Sequence, residues 1–224
     1  MTMTRRHAFI SRHTRPRRPP HVPEVRLYLA DRIEPLWRAV EEERGERGAP
    51  PPFWAFAWAG GQAVARYLLD HPAEVAGARV VDLATGSGLC AIAAMKAGAA
   101  GALAADVDPL SEAAVALNAQ ANGVRVAFTG RDLLDADPPD ADLILAGDVC
   151  YEQPLAARVL AWLRAAHGRG TRVLIGDPGR AYFPRAGLIR LANYQAPTTR
   201  ELEDAEVKQA GVFTFPADGA LPGL

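Results

Sequence analysis

Cysteine is scarce in this chain: Cys90 and Cys150 are the two among 224 residues. One follows a glycine loop and the other a predicted strand, which excludes a disulfide framework and offers no metal-site spacing. The expected compartment is therefore reducing, cytoplasmic in a bacterium or the mitochondrial matrix in a eukaryote. Histidine is equally thin. His7, His13 and His21 fall in the first stretch, while His71 and His167 stand far apart, so no metal site is expected. Long hydrophobic runs are missing as well: no stretch approaches roughly 20 strongly apolar residues, and no membrane association is expected. The alanine-rich run at 91–105 is interrupted by Lys96, Gly98 and Gly101. A basic face is absent from the body of the chain. Residues 1–20 hold Arg5, Arg6, Arg12, Arg15, Arg17 and Arg18 with no acid; setting those six aside from 25 Lys+Arg leaves 19 against 26 Asp+Glu. Residues 21–224 thus carry −7 within a total of −1, which argues against nucleic acid as a partner.

What is present reads as one domain. A 49% hydrophobic and 23% charged composition is ordinary for a globular protein, with no internal repeat and no second core, and a monomer is expected. Residues 1–22, rich in Arg and Pro, read as a disordered leader, with a transit peptide or a nucleic-acid arm as other readings. Residues 23–72 read as a helical and aromatic cover. Pro23 suits a first helical turn, the apolar positions from Val25 to Val40 keep helical spacing, and Pro35 should kink or restart that helix. The charged stretch at 41–48 reads as solvated. Then come Phe53, Trp54, Phe56 and Trp58, four aromatics in six residues of a chain that is 7% aromatic. They read as a lid over the core or as a wall for a ligand's π face or cation. A helix is predicted at 62–69.

From 78 to 217 strands and helices alternate, the pattern of a parallel sheet covered on both faces. Strands are predicted at 79–83, 102–106, 124–128, 141–147 and 171–176, with helices at 89–97, 109–121, 154–166 and 180–192. The proline-rich 135–140 segment reads as a loop, and residues 194–197 and 207–215 read as two late antiparallel strands. The chemistry gathers at strand ends. Gly86 and Gly88, between the strand at 79–83 and its helix, let backbone N–H groups approach a nucleotide-like ligand, though a NAD fingerprint fits as well. Asp82 in the same stretch would repel a pyrophosphate and attract a cationic ligand. Asp106 is placed to accept from a ribose diol, Asp108 to cap the helix at 109–121, and Asp132 to accept from an adenine amino group.

Val81-Asp82-Leu83-Ala84-Thr85-Gly86-Ser87-Gly88, Ala105-Asp106-Val107-Asp108-Pro109 and Asn118-Ala119-Gln120-Ala121-Asn122-Gly123 together resemble the seven-strand class I methyltransferases. The resemblance implies an α/β, Rossmann-like, seven-stranded, mostly parallel sheet with a reversed last strand, and S-adenosylmethionine as cofactor. It implies that Asp82, Ala84, Thr85, Gly86 and Gly88 contact the methionine portion, Asp106 the ribose, and Asp132 and Leu133 the adenine, with Gly147 and Trp58 completing the pocket. Gly147-Asp148-Val149-Cys150-Tyr151 looks like the acidic-x-x-aromatic signature of the protein-lysine methyltransferases of this fold. Trp58-Ala59-Gly60-Gly61-Gln62, Gly176-Asp177-Pro178-Gly179-Arg180 and the acidic tail 199–204 look most like the branch that modifies the electron transfer flavoprotein beta subunit. The implied partner is a protein substrate, that subunit or a ribosomal protein.

Methyl transfer to lysine is an in-line displacement at a sulfonium, so the protein must align a neutral amine and exclude water. With a reference pKa of about 10.4, a neutral lysine at pH 7 lies roughly 4 to 5 kcal/mol uphill. Asp148 and Tyr151 are the catalytic candidates, Asp148 to orient the incoming ammonium and Tyr151 to wall its channel. Because a carboxylate raises the pKa of a nearby ammonium, Asp148 is expected to help binding more than deprotonation. Phe53, Trp54, Asp177 and Arg180 are candidates for the substrate side, Arg180 with the acidic tail as another partner. Cys150 is not expected to act as a nucleophile. A small-molecule or RNA acceptor, a NAD-binding oxidoreductase and a non-catalytic adenosine-binding module are the competing readings.

Overall fold

The computed structural model describes residues 1–198 and 205–217, so the acidic tail 199–204 lies outside the described residues. The chain opens with α1 (Met3–His13), β1 (Arg15–Arg17), β2 (Leu27–Leu29) and α2 (Ile33–Arg44). A 3-10 turn at Phe53–Ala55 and α3 (Ala59–Asp70) lead into β3 (Arg79–Leu83), α4 (Leu89–Lys96), β4 (Gly101–Ala105), α5 (Pro109–Ala121) and β5 (Ala127–Thr129). After a 3-10 turn at Leu133–Asp135 come β6 (Leu143–Gly147), α6 (Leu155–Gly168), β7 (Arg172–Asp177), β8 (Ile189–Pro197) and β9 (Val207–Thr214).

Seven strands form one sheet in the order β5-β4-β3-β6-β7-β9-β8. The first five run parallel and β9 lies antiparallel to both β7 and β8. The central parallel strands are largely apolar on both faces, so alternate residues feed two cores. Val80, Leu143 and Leu145 pack with Val64 and Leu68 of α3 and Ala91 of α4. Val81, Ile144 and Ile175 pack with Val159 and Leu163 of α6. The chain leaves β3 toward β4 and β5, then crosses back to β6. The strand order therefore reverses between β3 and β6, which opens a crevice at their carboxyl ends.

Several expectations are corrected. Residues 1–22 are not a disordered leader: α1 buries Phe9 and Ile10 against Leu36, Val40, Leu110 and Ala114. Its arginines find acids elsewhere, Arg5 on Glu43 at 2.8 Å, Arg6 on Glu112 at 2.7 Å and Arg17 on Asp31. Residues 27–29 pair with residues 15–17 as strands instead of extending a helix from Pro23. Of the two expectations for Pro35 the restart holds: it is the third residue of α2, where its missing N–H has no intrahelical partner to lose. The stretch at 41–48 is not simply solvated, since Arg44 pairs with Asp108 at 2.5 Å with both side chains 17% exposed. Residues 180–188 are turns, not a helix, with Pro184 and a Gly187 at φ +83 breaking the run before β8 begins at Ile189. The late strands and the loop at 135–140 fall close to where the sequence puts them.

Candidate active site

The glycine loop leaves β3 and is closed on itself before α4 begins. Gly86 and Gly88 take φ of +51° and +81°, which a side chain would strain, and a Cβ on Gly88 would come within 3.1 Å of Val115. Asp82, 2% exposed at the end of β3, accepts from the Thr85 hydroxyl and from the Ala91 amide at 3.0 Å. It thus ties the loop to the first turn of α4. Burial, first, and then the Asp106 charge push its carboxyl up to about 7 against the pull of those two donors. Asp106, just after β4, accepts from Gly86 N at 2.8 Å and from Asp108 N at 2.9 Å; burial raises its pKa. The Ser111 hydroxyl donates to the same carboxylate, and the lone-pair capacity that remains is open to a ligand hydroxyl. Asp108 caps α5 through Leu110 N at 2.8 Å, as the sequence predicts.

At the end of β6 the backbone and side chain of Asp148 are both unusual. Its φ is +57°, and Ala84 at +52° is the other non-glycine residue with positive φ among the described residues. Such strain gathers at functional sites. One carboxylate oxygen of Asp148 accepts from Gly61 N at 3.0 Å, the third residue of α3, whose own N-cap position, Trp58, makes no side-chain cap. Asp148 therefore caps that helix from across the sheet. The other oxygen accepts from Arg180 Nε at 3.0 Å and Nη2 at 2.6 Å. Close approach of α3 makes this possible: a Cβ on Gly60 would lie 2.4 Å from Gly176 O, and one on Gly176 would lie 2.1 Å from Gly60 O.

The aromatic segment roofs the crevice. Phe53 meets Trp58 edge-on at 5.6 Å and Tyr151 at 5.3 Å between ring centroids, and Trp58 Nε1 donates to Phe53 O at 3.0 Å. The Arg180 guanidinium lies 5.7 Å from the Trp58 ring centroid. Trp54 is buried on the cluster that holds Phe9 and Ile10.

These residues enclose a cavity of about 520 Å³, well sized for a small-molecule ligand. Its walls include Phe53, Trp54, Trp58, Asp82, Ala84, Thr85, Gly86, Asp106, Asp132, Leu133, Gly147, Asp148, Tyr151 and Arg180, so the sequence candidates converge. Two of them stand behind the wall. Gly88 packs under α4 on Val115, and Asp177, 2% exposed, accepts from the Gly179 and Arg180 amides at 2.7 Å and so fixes the turn that presents Arg180. Asp132 lines the cavity, but it caps the turn at Leu133–Asp135 through Leu134 N at 3.0 Å and pairs with Arg158 at 3.3 Å. Sequence reading misses Arg44 and Ser111 on the wall, and Arg180 as the partner of Asp148. It also misses the work of Asn118, whose side chain accepts from Tyr28 N and donates to Ser87 O, both at 2.7 Å, joining the N-terminal cover to the glycine loop.

This chain is similar to the electron transfer flavoprotein beta subunit lysine methyltransferase of Xenopus laevis, 38% identical over 216 residues that cover 93% of this chain and 86% of that protein. The chain belongs to the electron transfer flavoprotein beta subunit lysine methyltransferase family. The mouse member is 41% identical over 170 residues, covering 73% of this chain and 67% of its relative. A family model described as ribosomal protein L11 methyltransferase (PrmA) matches residues 67–148. The fold is similar to that of the magnesium protoporphyrin IX methyltransferase of Synechocystis PCC 6803 with bound SAM, at a TM-score of 0.51 and 18% identity, over 70% of this chain and 78% of that one. The family member described here is an S-adenosylmethionine-dependent protein-lysine methyltransferase.

Proposed function

We propose that this methyltransferase modifies lysine side chains of the electron transfer flavoprotein beta subunit, and that Asp148 and Tyr151 line the slot through which the lysine enters. The observation that carries the slot is that Asp148, at the carboxyl end of β6, lines one cavity with the contacting rings of Trp58, Phe53 and Tyr151. A carboxylate beside aromatic faces is what a primary amine or its ammonium requires. The names of its relatives support the flavoprotein acceptor over a ribosomal protein, because a flavoprotein subunit methyltransferase matches over 93% of this chain and a ribosomal protein L11 methyltransferase over 51%.

The cavity residues suit the cofactor. Asp106 accepts hydroxyls of a ribose through its remaining lone pairs, Asp82 and the loop at 84–86 face its charged amino-acid portion, and Asp132, Leu133 and Gly147 bound its base and flank. Trp54, which lines the cavity, keeps a buried indole N–H with no hydrogen-bond partner among the described residues. When bound, S-adenosylmethionine supplies a methyl group on a sulfonium that carries its own leaving group. This chain's residues therefore need only bind, align and dry the amine. Burial raises the Cys90 thiol well above its ordinary range and pushes Cys150 up to about 12, so neither serves as a nucleophile. Burial, then Glu152 and Asp106, push the Tyr151 hydroxyl up to about 12. It stays protonated and acts as a wall and hydrogen-bond partner, not as a base.

Incubation of the wild-type enzyme with tritiated S-adenosylmethionine and a protein extract tests this reading. Label is expected in a protein band, and Asp148→Asn is expected to reduce it roughly 100-fold through lost alignment. Label appearing only in RNA or in small molecules would refute the acceptor.

A further inference from the structure

Asn118 ties the glycine loop to the strand that holds the aromatic roof, and we infer that it is a positioning residue through which cofactor binding sets that roof. The inference rests on the assignment of the loop at 84–88 to the cofactor. It starts from one face of α5. Ser111, Val115, Asn118 and Asn122 recur at helical spacing and so share that face. Ser111 donates to Asp106, and Val115 packs on Gly88, where an added Cβ would come within 3.1 Å of it. Asn118, fully buried, accepts from Tyr28 N and donates to Ser87 O, both at 2.7 Å. Asn122 accepts from Arg26 N at 2.9 Å and donates to Arg26 O at 2.6 Å. One edge of β2 therefore pairs with β1, while the amides on the other edge are taken by asparagine side chains of α5.

Two further bonds extend these contacts in either direction. At the loop, the peptide between Ser87 and Gly88 is gripped at both ends, because its carbonyl accepts from Asn118 and its N–H donates to Thr85 O at 2.9 Å. At the cover, Ala30 N, just past β2, donates to Ala55 O at 3.0 Å, within the segment that sets Phe53 and Trp58 over the crevice. Both partners of Asn118 are backbone groups of fixed polarity, so its amide turns its oxygen to Tyr28 and its nitrogen to Ser87. An aspartate there offers two acceptors and a leucine neither. Because the amide is buried, losing one partner leaves a polar group unsatisfied, so loop and strand hold or yield together. Arg26 and Tyr28 stand off the cavity wall, so their amides report coupling and not contact with a ligand. By linkage, a ligand that favours the closed loop favours the docked strand, and the docked strand favours the ligand. The roof held through Ala30 is then in place when the loop is filled.

The test is amide hydrogen exchange of the full chain followed by NMR, with and without saturating AdoHcy. In the wild type AdoHcy is expected to slow exchange at Arg26 and Tyr28 by roughly fivefold or more, as well as in the loop. Asn118→Asp keeps the acceptor for Tyr28 N but turns a carboxylate oxygen on Ser87 O. It is expected to weaken AdoHcy roughly tenfold in calorimetric titration and, at saturation, to abolish the slowing at Arg26 and Tyr28 while the loop stays protected. Asn122→Ala cuts Arg26 from α5 and leaves Ser87 bonded; it is expected to weaken AdoHcy about threefold, and carries the comparison should Asn118→Asp not fold. Loop protection in the wild type with no change at Arg26 and Tyr28 would overturn the inference. So would an Asn118→Asp variant that loses thermal stability but keeps wild-type AdoHcy affinity and slowing, the mark of a merely structural residue. AdoHcy that protects neither loop nor strand would instead refute the assignment of the loop to the cofactor, and the inference with it.

Discussion

Asp82 holds the glycine loop closed while sitting in a place that resists its charge. Its carboxyl, raised from 3.8 to about 7, favours the protonated form in the folded state. The sign follows: its contribution to stability is full below about 3.8 and is lost as pH rises through about 7. Over roughly pH 4 to 7 the wild type is expected to lose thermal stability relative to Asp82→Asn, measured by calorimetry at each pH. Ligand binding should run the other way. The ammonium of AdoHcy selects ionised Asp82, so its Kd should tighten between roughly pH 6 and 8, and Asp82→Asn should flatten that dependence. A pH-independent Kd in the wild type would show that Asp82 does not face the ligand's charge. Asp82, Asp106 and Asp148 were legible in the sequence because each closes an apolar run at a strand end. Their partners were not. Arg180 lies 32 positions from Asp148 and Arg44 lies 64 from Asp108, separations that only the sheet's topology brings together.

α3 is the element on which the site leans, and its N-terminus has two supports. One is the carboxylate cap: Asp148→Ala removes it and leaves Arg180 buried without its partner, which should cost about 3 kcal/mol in urea unfolding. The other is the glycine contact with β7, where Gly176→Ala would place a methyl 2.1 Å from Gly60 O. Backbone atoms cannot yield as side chains do, so a loss of at least about 2 kcal/mol is expected, with weaker AdoHcy binding as α3 shifts. An alanine variant with wild-type stability would mean that this contact is looser than described. The helices α4 to α6 and the strands β3, β4, β6 and β7 could be read from periodicity, whereas β5, expected at 124–128, is the short and partly exposed Ala127–Thr129. α1 could not, because its arginines read as a solvated tail until Glu43 and Glu112 are known to face them. The stretch predicted as helix at 180–192 is turns to residue 188, where Pro184 and Gly187 break the run, and strand from Ile189.

In the whole molecule, the cover and the sheet form one unit around the cavity. α1 and α2 pack on α5, and Trp54 joins that cluster while lining the cavity from the other side. Ile10→Ala, a change remote from the chemistry, should therefore cost about 3 kcal/mol and also weaken AdoHcy binding, whereas a purely peripheral α1 would lose stability alone. Calorimetric titration of the variant separates the two outcomes. The central claim is that this fold delivers a methyl group to a lysine of a protein through the slot at Asp148. Intact-mass spectrometry of the purified proposed acceptor after incubation with S-adenosylmethionine tests it most directly. The account predicts mass gains of whole methyl groups, located on lysine by peptide fragmentation and absent with Asp148→Asn. An unchanged mass with wild-type enzyme that binds AdoHcy, or methyl groups on residues other than lysine, would contradict it.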